Sequence, residues 1–242
     1  MQYYIASCVF TRAFPDLSAR IRDYVRSLGG IEIVRCCVPG YKLKEFTDSL
    51  PPERQNDWAA LPDCAPFAPG DTVWSLCHNC SAIIEEQKPG VAVGSLWELI
   101  ASDARFPLPD LGRKSYFVQD CWRSRDRAAE QAAVRELLRR MNATVLELDV
   151  RGEQTDFCGI SLLRPAPPRN LKLAPVRFVQ NAPGKFAPHT PEEQKRLMSE
   201  YCARFGDTPV VDYCHYCHEG LLLGEAKAYH LAQLLFSGQI QP

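Results

Sequence analysis

Short β-branched and aromatic runs alternate along the chain with stretches whose apolar residues recur at helical spacing. In the first half, residues 3–7 predict a strand. Residues 16–28 predict a helix, with Leu17, Ile21, Val25 and Leu28 on one face and Gly29-Gly30 stopping it. Further strands are expected over 31–34, 72–76 and 91–93. Helices are expected from Ser81 to Gln87 and over 96–102. The proline-rich stretch 38–70 reads as irregular apart from a short helix over 41–50. After the sequence FPLPDLG at 106–112 the order recurs. Strands are expected over 116–119, 144–148 and 209–212, and helices over 125–141, 191–204 and 226–236. Pro191 at the start and Thr190 as N-cap define the helix at 191–204. Strands alternating with helices predict an α/β fold with parallel strands.

The repetition extends to chemistry. A strand leads into Cys77-His-Asn-Cys80 in the first half and into Cys214-His-Tyr-Cys217 in the second, and an apolar segment follows each. Upstream stand Cys8 and the pair Cys36-Cys37 in the first half, and Cys121 and Cys158 in the second. We read two pseudo-repeated cysteine-rich α/β units, 1–105 and 115–242, joined by a linker at 106–114, with a proline-rich insert at 163–190. The cysteines fall at the C-terminal ends of the strands, where α/β folds place ligands.

Composition narrows the chemistry. The 242 residues are 46% apolar, which suffices for a core, and the net charge of −1 gives no footprint for nucleic acid. No run of 18 apolar residues and no signal peptide is visible, so a cytoplasmic protein without a membrane span is expected. Eleven cysteines in a reducing compartment, an odd number, point to metal or redox chemistry rather than disulfides. A CxxC lets two thiolates converge on one metal from a single turn. Five thiolates in the first half exceed the four ligands that zinc takes, and the four in the second half suit zinc or an iron–sulfur cluster. A thioredoxin-like dithiol would leave Cys8, Cys36, Cys37 and Cys121 without a role.

The pattern resembles the cysteine-rich CCG-domain family, whose motif is a lone Cys, then Cys-Cys-Gly, then CxxC, in two copies. It is similar to the B subunit of heterodisulfide reductase. Cys8, Cys36, Cys37, Cys77 and Cys80 match a complete motif, and Cys121, Cys158, Cys214 and Cys217 match four positions of a second. The resemblance implies a noncubane [4Fe-4S] cluster in the first half, with Cys36 and Cys37 as ligands at a substrate site. It also implies electron transfer to a disulfide or related sulfur substrate, and a separate ferredoxin-like iron–sulfur donor or partner subunit. The chain departs from the motif in three places. Val38 rather than glycine follows Cys37, Phe157 stands where the first of the paired cysteines would be, and residues 159–213 make a long gap before Cys214. For the second half a cubane cluster, zinc or no metal therefore stay open. A non-catalytic electron-transfer or zinc-stabilised scaffold subunit is the alternative to a reductase, and a metal-trafficking role is a third possibility.

Other candidates carry two readings each. His78, His215 and His218 are metal ligands or hydrogen-bond partners around the thiols. Arg123, Arg125 and Arg127, and Arg35 beside Cys36, either attract an anion or form solvated surface. Cys64 and Cys202 read as ordinary thiols outside the motif. The insert is a lid or partner surface, or else disordered, with 176–179 and Phe186 able to pack.

Overall fold

The computed structural model describes residues 1–236, so the last six residues of the second unit, 237–242, lie outside the described residues. It divides into two compact units, Met1–Leu96 and from Trp97 onward. Each unit contains one four-stranded, wholly parallel sheet.

The first sheet has the order β2-β1-β3-β4, with β1 Gln2–Ile5, β2 Ile31–Val34, β3 Thr72–Ser75 and β4 Ala92–Ser95. Tyr4, Ile5, Val34 and Val73 are buried along it, because both faces of a parallel sheet are covered by the crossover helices it requires. The helices of this unit are α1 Cys8–Ala13, α2 Pro15–Leu28, α3 Leu43–Asp48, α4 Pro52–Ala59 and α5 His78–Gln87; α6 Leu96–Ser102 follows β4 where the chain passes into the second unit. The stretch read as irregular contains α4 as well as α3. Pro52 opens α4 rather than breaking it, since proline at the first helical position gives up only an N–H that would have no partner there. Helix α1 has no counterpart in the sequence reading; six residues are too few to show a period.

The second sheet repeats the first as β6-β5-β7-β8, from β5 Ser115–Gln119, β6 Thr144–Leu146, β7 Val210–Asp212 and β8 Ala228–His230. Its helices are α7 Ala128–Arg140, α8 Pro168–Leu173, α9 Pro191–Cys202, α10 His215–Leu223 and α11 Leu231–Phe236. Residues 226–236, expected as one helix, are a strand followed by a helix, as β4 is followed by α6 earlier in the chain. Helix α7 starts at Ala128 rather than Arg125, because a 3₁₀ turn, Trp122–Ser124, follows Cys121. The stretch 106–114 is hydrogen-bonded to the end of α7, through Leu111 N–H to Met141 O at 2.7 Å and Arg113 N–H to Asn142 O at 2.8 Å. The insert is folded: it holds α8 and a π-turn, Val176–Gln180, and buries Asn170, Ala174 and Phe178.

Register explains why the cysteines gather. Ile5, Val34, Ser75 and Ser95 form one row across the first sheet, and Gln119, Asp212 and His230 one row across the second. Cys36 and Cys77 come two residues after their strands' members of the first row, and Cys121 and Cys214 two residues after theirs in the second. Each sheet therefore delivers its thiols to one edge. Helix α9, which backs the second site, begins with a complete capping box. Thr190 Oγ1 accepts from Glu193 N–H, and the Glu193 carboxylate accepts from Thr190 N–H at 3.0 Å. Thr190→Ala is expected to cost about 1 kcal/mol, read as a shifted denaturant midpoint with unchanged slope.

Candidate metal centre

In the second unit the thiols of Cys121, Cys158, Cys214 and Cys217 all lie within 4.8 Å of one another, and all four residues are buried. Cys121 Sγ and Cys158 Sγ are 3.3 Å apart, and Cys158 Sγ and Cys214 Sγ 4.0 Å. Each sits at the start of a helical turn. Cys121 caps the 3₁₀ turn Trp122–Ser124, Cys158 caps a second one, Gly159–Leu163, and Cys214 caps α10, with Cys217 on its first turn. The positive end of a helix favours a thiolate over a thiol. This set of four buried cysteines can bind a metal ion. Tetrahedral zinc with Zn–S bonds of about 2.3 Å puts its sulfurs about 3.8 Å apart, so the spacing fits a single ion.

A close backbone approach closes the site. Gly159 has a φ of +52°, and a Cβ there would lie 1.9 Å from the carbonyl oxygen of Tyr216. A Cβ on Gly220 would lie 2.5 Å from Gly159 Cα. The two glycines let the turn after Cys158 press against α10, which carries the CxxC. Around them the polar network is dense. Asp120, just before Cys121, accepts from both Nη atoms of Arg135 at 3.0 and 2.8 Å, from Tyr213 Oη at 2.7 Å and from Gly152 N–H at 2.7 Å. Tyr213 immediately precedes Cys214, so one carboxylate ties together two strand ends that carry thiols of the set.

Phe157, where the motif would have a cysteine, stacks face to face on Tyr201 with ring centroids 4.1 Å apart. Tyr201 Oη donates to Gln119 Oε1 at 2.6 Å, and Arg204 lies over the other ring face at 3.8 Å. The position of a fifth thiol is thus filled by packed aromatic side chains. On another side the insert covers the site, with Phe178 and Phe186 both against Trp122. The second site is closed.

In the first unit the same elements hold the five-cysteine set. Cys8 begins α1, Cys36 and Cys37 follow β2, Cys77 caps α5 and Cys80 lies on its first turn. The Cys8 thiol is pushed far up by its hydrogen bond with Cys36, then by burial and by the charges of Cys36, Cys77 and Cys37. The Cys80 thiol is likewise pushed up, first by hydrogen bonds with Cys37 and Cys77 and then by burial. Cys8 therefore interacts with Cys36, Cys37 and Cys77, and Cys80 with Cys37 and Cys77. Cys77 is half-buried and the other four are buried, so the set reaches solvent on the Cys77 side. Among the described residues no set of ligand atoms in this unit is as tight as the one in the second.

The remaining candidates divide. Cys64 bonds to Ala65 O and Cys202 to Leu221 O, and burial pushes both thiols up to about 11; neither joins the four-thiol set. Arg35 donates to Ala59 O and Leu61 O and pairs with Asp63, holding the loop behind Cys36. Arg123, whose sequence context suits solvated surface, is 1% exposed and donates from Nη1 to Cys158 Sγ. His78 is buried, His215 faces Glu219, and His218 is buried with Nδ1 2.8 Å from Asp212 Oδ2. Burial pushes Asp212 up to about 6 even though His218 opposes the shift. Burial lowers His218, but the Asp212 charge and hydrogen bond outweigh it and leave the imidazole raised.

Aligning the two units at their CxxC pairs brings out a difference that residue-by-residue reading missed. Ser75, Ser81 and Ser95 in the first unit occupy the places of Asp212, His218 and His230 in the second. Small hydroxyls stand behind one CxxC and a buried carboxylate with two imidazoles behind the other. No helix among the described residues is long and apolar enough to cross a membrane. In comparisons with known proteins, no family model matches the chain, and neither the curated proteins nor the solved structures give a match.

Proposed function

We propose that the protein is an iron–sulfur redox protein of the CCG-domain kind, similar to the B subunit of heterodisulfide reductase, with unlike metal sites in its two units. The observation that carries this reading is the contrast between the two thiol sets. Five cysteines linked through Cys37 and Cys77 open to solvent at Cys77 in the first unit, and four lie in a tight, closed set in the second. A single ion takes four thiolates close together, whereas a four-iron cluster spreads its thiolates over separate irons. The second set accordingly suits one tetrahedral zinc ion in a structural role, since structural zinc sites are closed. The first set suits a [4Fe-4S] cluster, noncubane by resemblance, held by Cys8, Cys36, Cys37, Cys77 and Cys80.

When bound there, such a cluster supplies one-electron chemistry to a sulfur substrate. Reduction of a disulfide takes two electrons and two protons and yields two thiols. The electrons come from a separate ferredoxin-like donor or partner subunit. The chain's own residues hold the cluster at the sheet edge and leave its Cys77 side accessible to a small disulfide. A non-catalytic, zinc-stabilised scaffold is the second reading, and the closure of the second site by Phe157 and the insert favours it for that unit.

Anaerobic purification with iron, sulfide and zinc quantitation and EPR tests the division. About four irons and four sulfides with about one zinc per chain are expected. Cys36→Ser should lose the iron and keep the zinc, and Cys214→Ser should do the reverse. Zinc in both units without sulfide would remove the redox reading and leave the scaffold.

A further inference from the structure

Among the described residues Arg123 has no carboxylate partner, although it is 1% exposed. A buried guanidinium without counter-charge is costly, so its surroundings must supply one. Nη1 donates to Cys158 Sγ and to Ser161 Oγ at 2.6 Å, and Ser161 Oγ donates in turn to Cys158 O at 3.2 Å. The backbone N–H of Arg123 points at Cys121 Sγ from 3.4 Å. Nε and Nη2 are buried and have no hydrogen-bond partner. They lie instead among aromatic rings, with the guanidinium carbon 5.0 Å from the centroid of Tyr216, 5.5 Å from Phe178, 5.9 Å from Phe186 and 6.0 Å from Trp122. This cage fixes the cation by its faces and leaves one edge directed at the thiols.

Cys158 is also the ligand with least support from regular structure. It lies well beyond the end of β6, on a turn held by Gly159. We propose that Arg123 is the positioning and charge-compensating residue of the second site, holding Cys158 Sγ in place and supplying a counter-charge that a divalent ion on four thiolates needs. The proposal rests on the reading of this site as a divalent-metal centre. Such an ion with four thiolates carries two negative charges, and Arg123 cancels one inside the protein, where no solvent cation reaches. The insert takes on a defined role in consequence. Its Phe178 and Phe186 are two walls of the cage, so it governs the metal through the arginine without contributing a ligand.

The test measures zinc(II) and cobalt(II) affinity of the full chain by competition with a chelator, for wild type, Arg123→Met and Arg123→Lys. Arg123→Met keeps the volume and removes the charge. It is expected to weaken zinc binding about 10- to 100-fold and to shift the cobalt–thiolate charge-transfer band, while the melting temperature of the metal-free chain stays near that of wild type. Arg123→Lys should recover part of the affinity. Unchanged zinc affinity and an unchanged cobalt spectrum in Arg123→Met would overturn the proposal and leave the metal site standing. A wild-type chain that takes up neither ion at Cys121, Cys158, Cys214 and Cys217 would overturn the metal-site reading and the proposal with it. Should Arg123→Met fail to fold, Arg123→Lys decides, because a cobalt band identical to wild type is incompatible with a guanidinium that positions Cys158.

Discussion

Gly159→Ala is expected to destabilise the second unit by at least about 3 kcal/mol and to abolish metal binding there, while the first unit keeps its thiol set. Two effects act in the same direction. The φ of +52° is one that alanine adopts only with strain. The new Cβ would also stand 1.9 Å from Tyr216 O, 2.9 Å from Tyr216 C and 3.1 Å from Cys217 Cα. All three are backbone atoms, so no rotamer change relieves the overlap, and α10 must move away from the turn after Cys158. That movement separates Cys158 from Cys214 and Cys217. Denaturant unfolding combined with zinc content measures both losses. A variant within about 1 kcal/mol of wild type that still loads zinc would contradict the close approach described for these two segments.

The second large effect is expected at Asp120. Asp120→Ala should cost about 3–5 kcal/mol, because it leaves a buried charge and two further donors without their acceptor. Arg135 would keep Glu147, whose carboxylate oxygens lie 2.7 and 2.8 Å from its Nε and Nη2, and the Gln131 carbonyl, 3.2 Å from Nη1. Tyr213 Oη and Gly152 N–H would lose bonds of 2.7 Å each. The network is shared, so the loss should not add to that of a partner. Asp120→Ala combined with Arg135→Met should cost clearly less than the two single changes together. Strict additivity in that cycle would show that the carboxylate and the guanidinium act independently. Both residues lie outside the thiol set, so a parallel fall in zinc affinity would report the loosening of Cys121 and Cys214 at their strand ends.

Much of this arrangement is legible in the residues. Strands that end just before cysteines, helices that open on CxxC, and the recurrence of both define two parallel α/β units, as found. The errors fall where local signals are short or misleading. Strand β8 spans three residues beside the Leu231, Leu234 and Leu235 spacing of α11, and that helical period spreads backward over it. The burial of Arg123 has no local signature either. Its neighbours Arg125 and Arg127 suggest surface, and only the long-range packing of Phe178, Phe186 and Tyr216 makes a place for it. The Phe157–Tyr201 stack likewise joins residues far apart in sequence. The pairing of Asp212 with His218 was within reach, since the two flank one CxxC and serines flank the other.

The spacing of the four thiols of the proposed metal centre bears on how the protein reaches its final state. Cys214 and Cys217 share a helical turn, but Cys121 and Cys158 are 37 residues apart, and Cys158 and Cys214 are separated by 56. Contacts over such separations form only after the intervening segments have closed, and parallel strand pairing delays them further. A newly made chain therefore offers a pair of thiols long before it offers four. An ion captured early would be held by two ligands and lost readily, and one captured late would lock both loops at once. On the proposed metal-centre reading, loading the ion would be the closing event of folding for this unit, and starvation for metal would show first as slow, incomplete maturation rather than as a weaker finished protein.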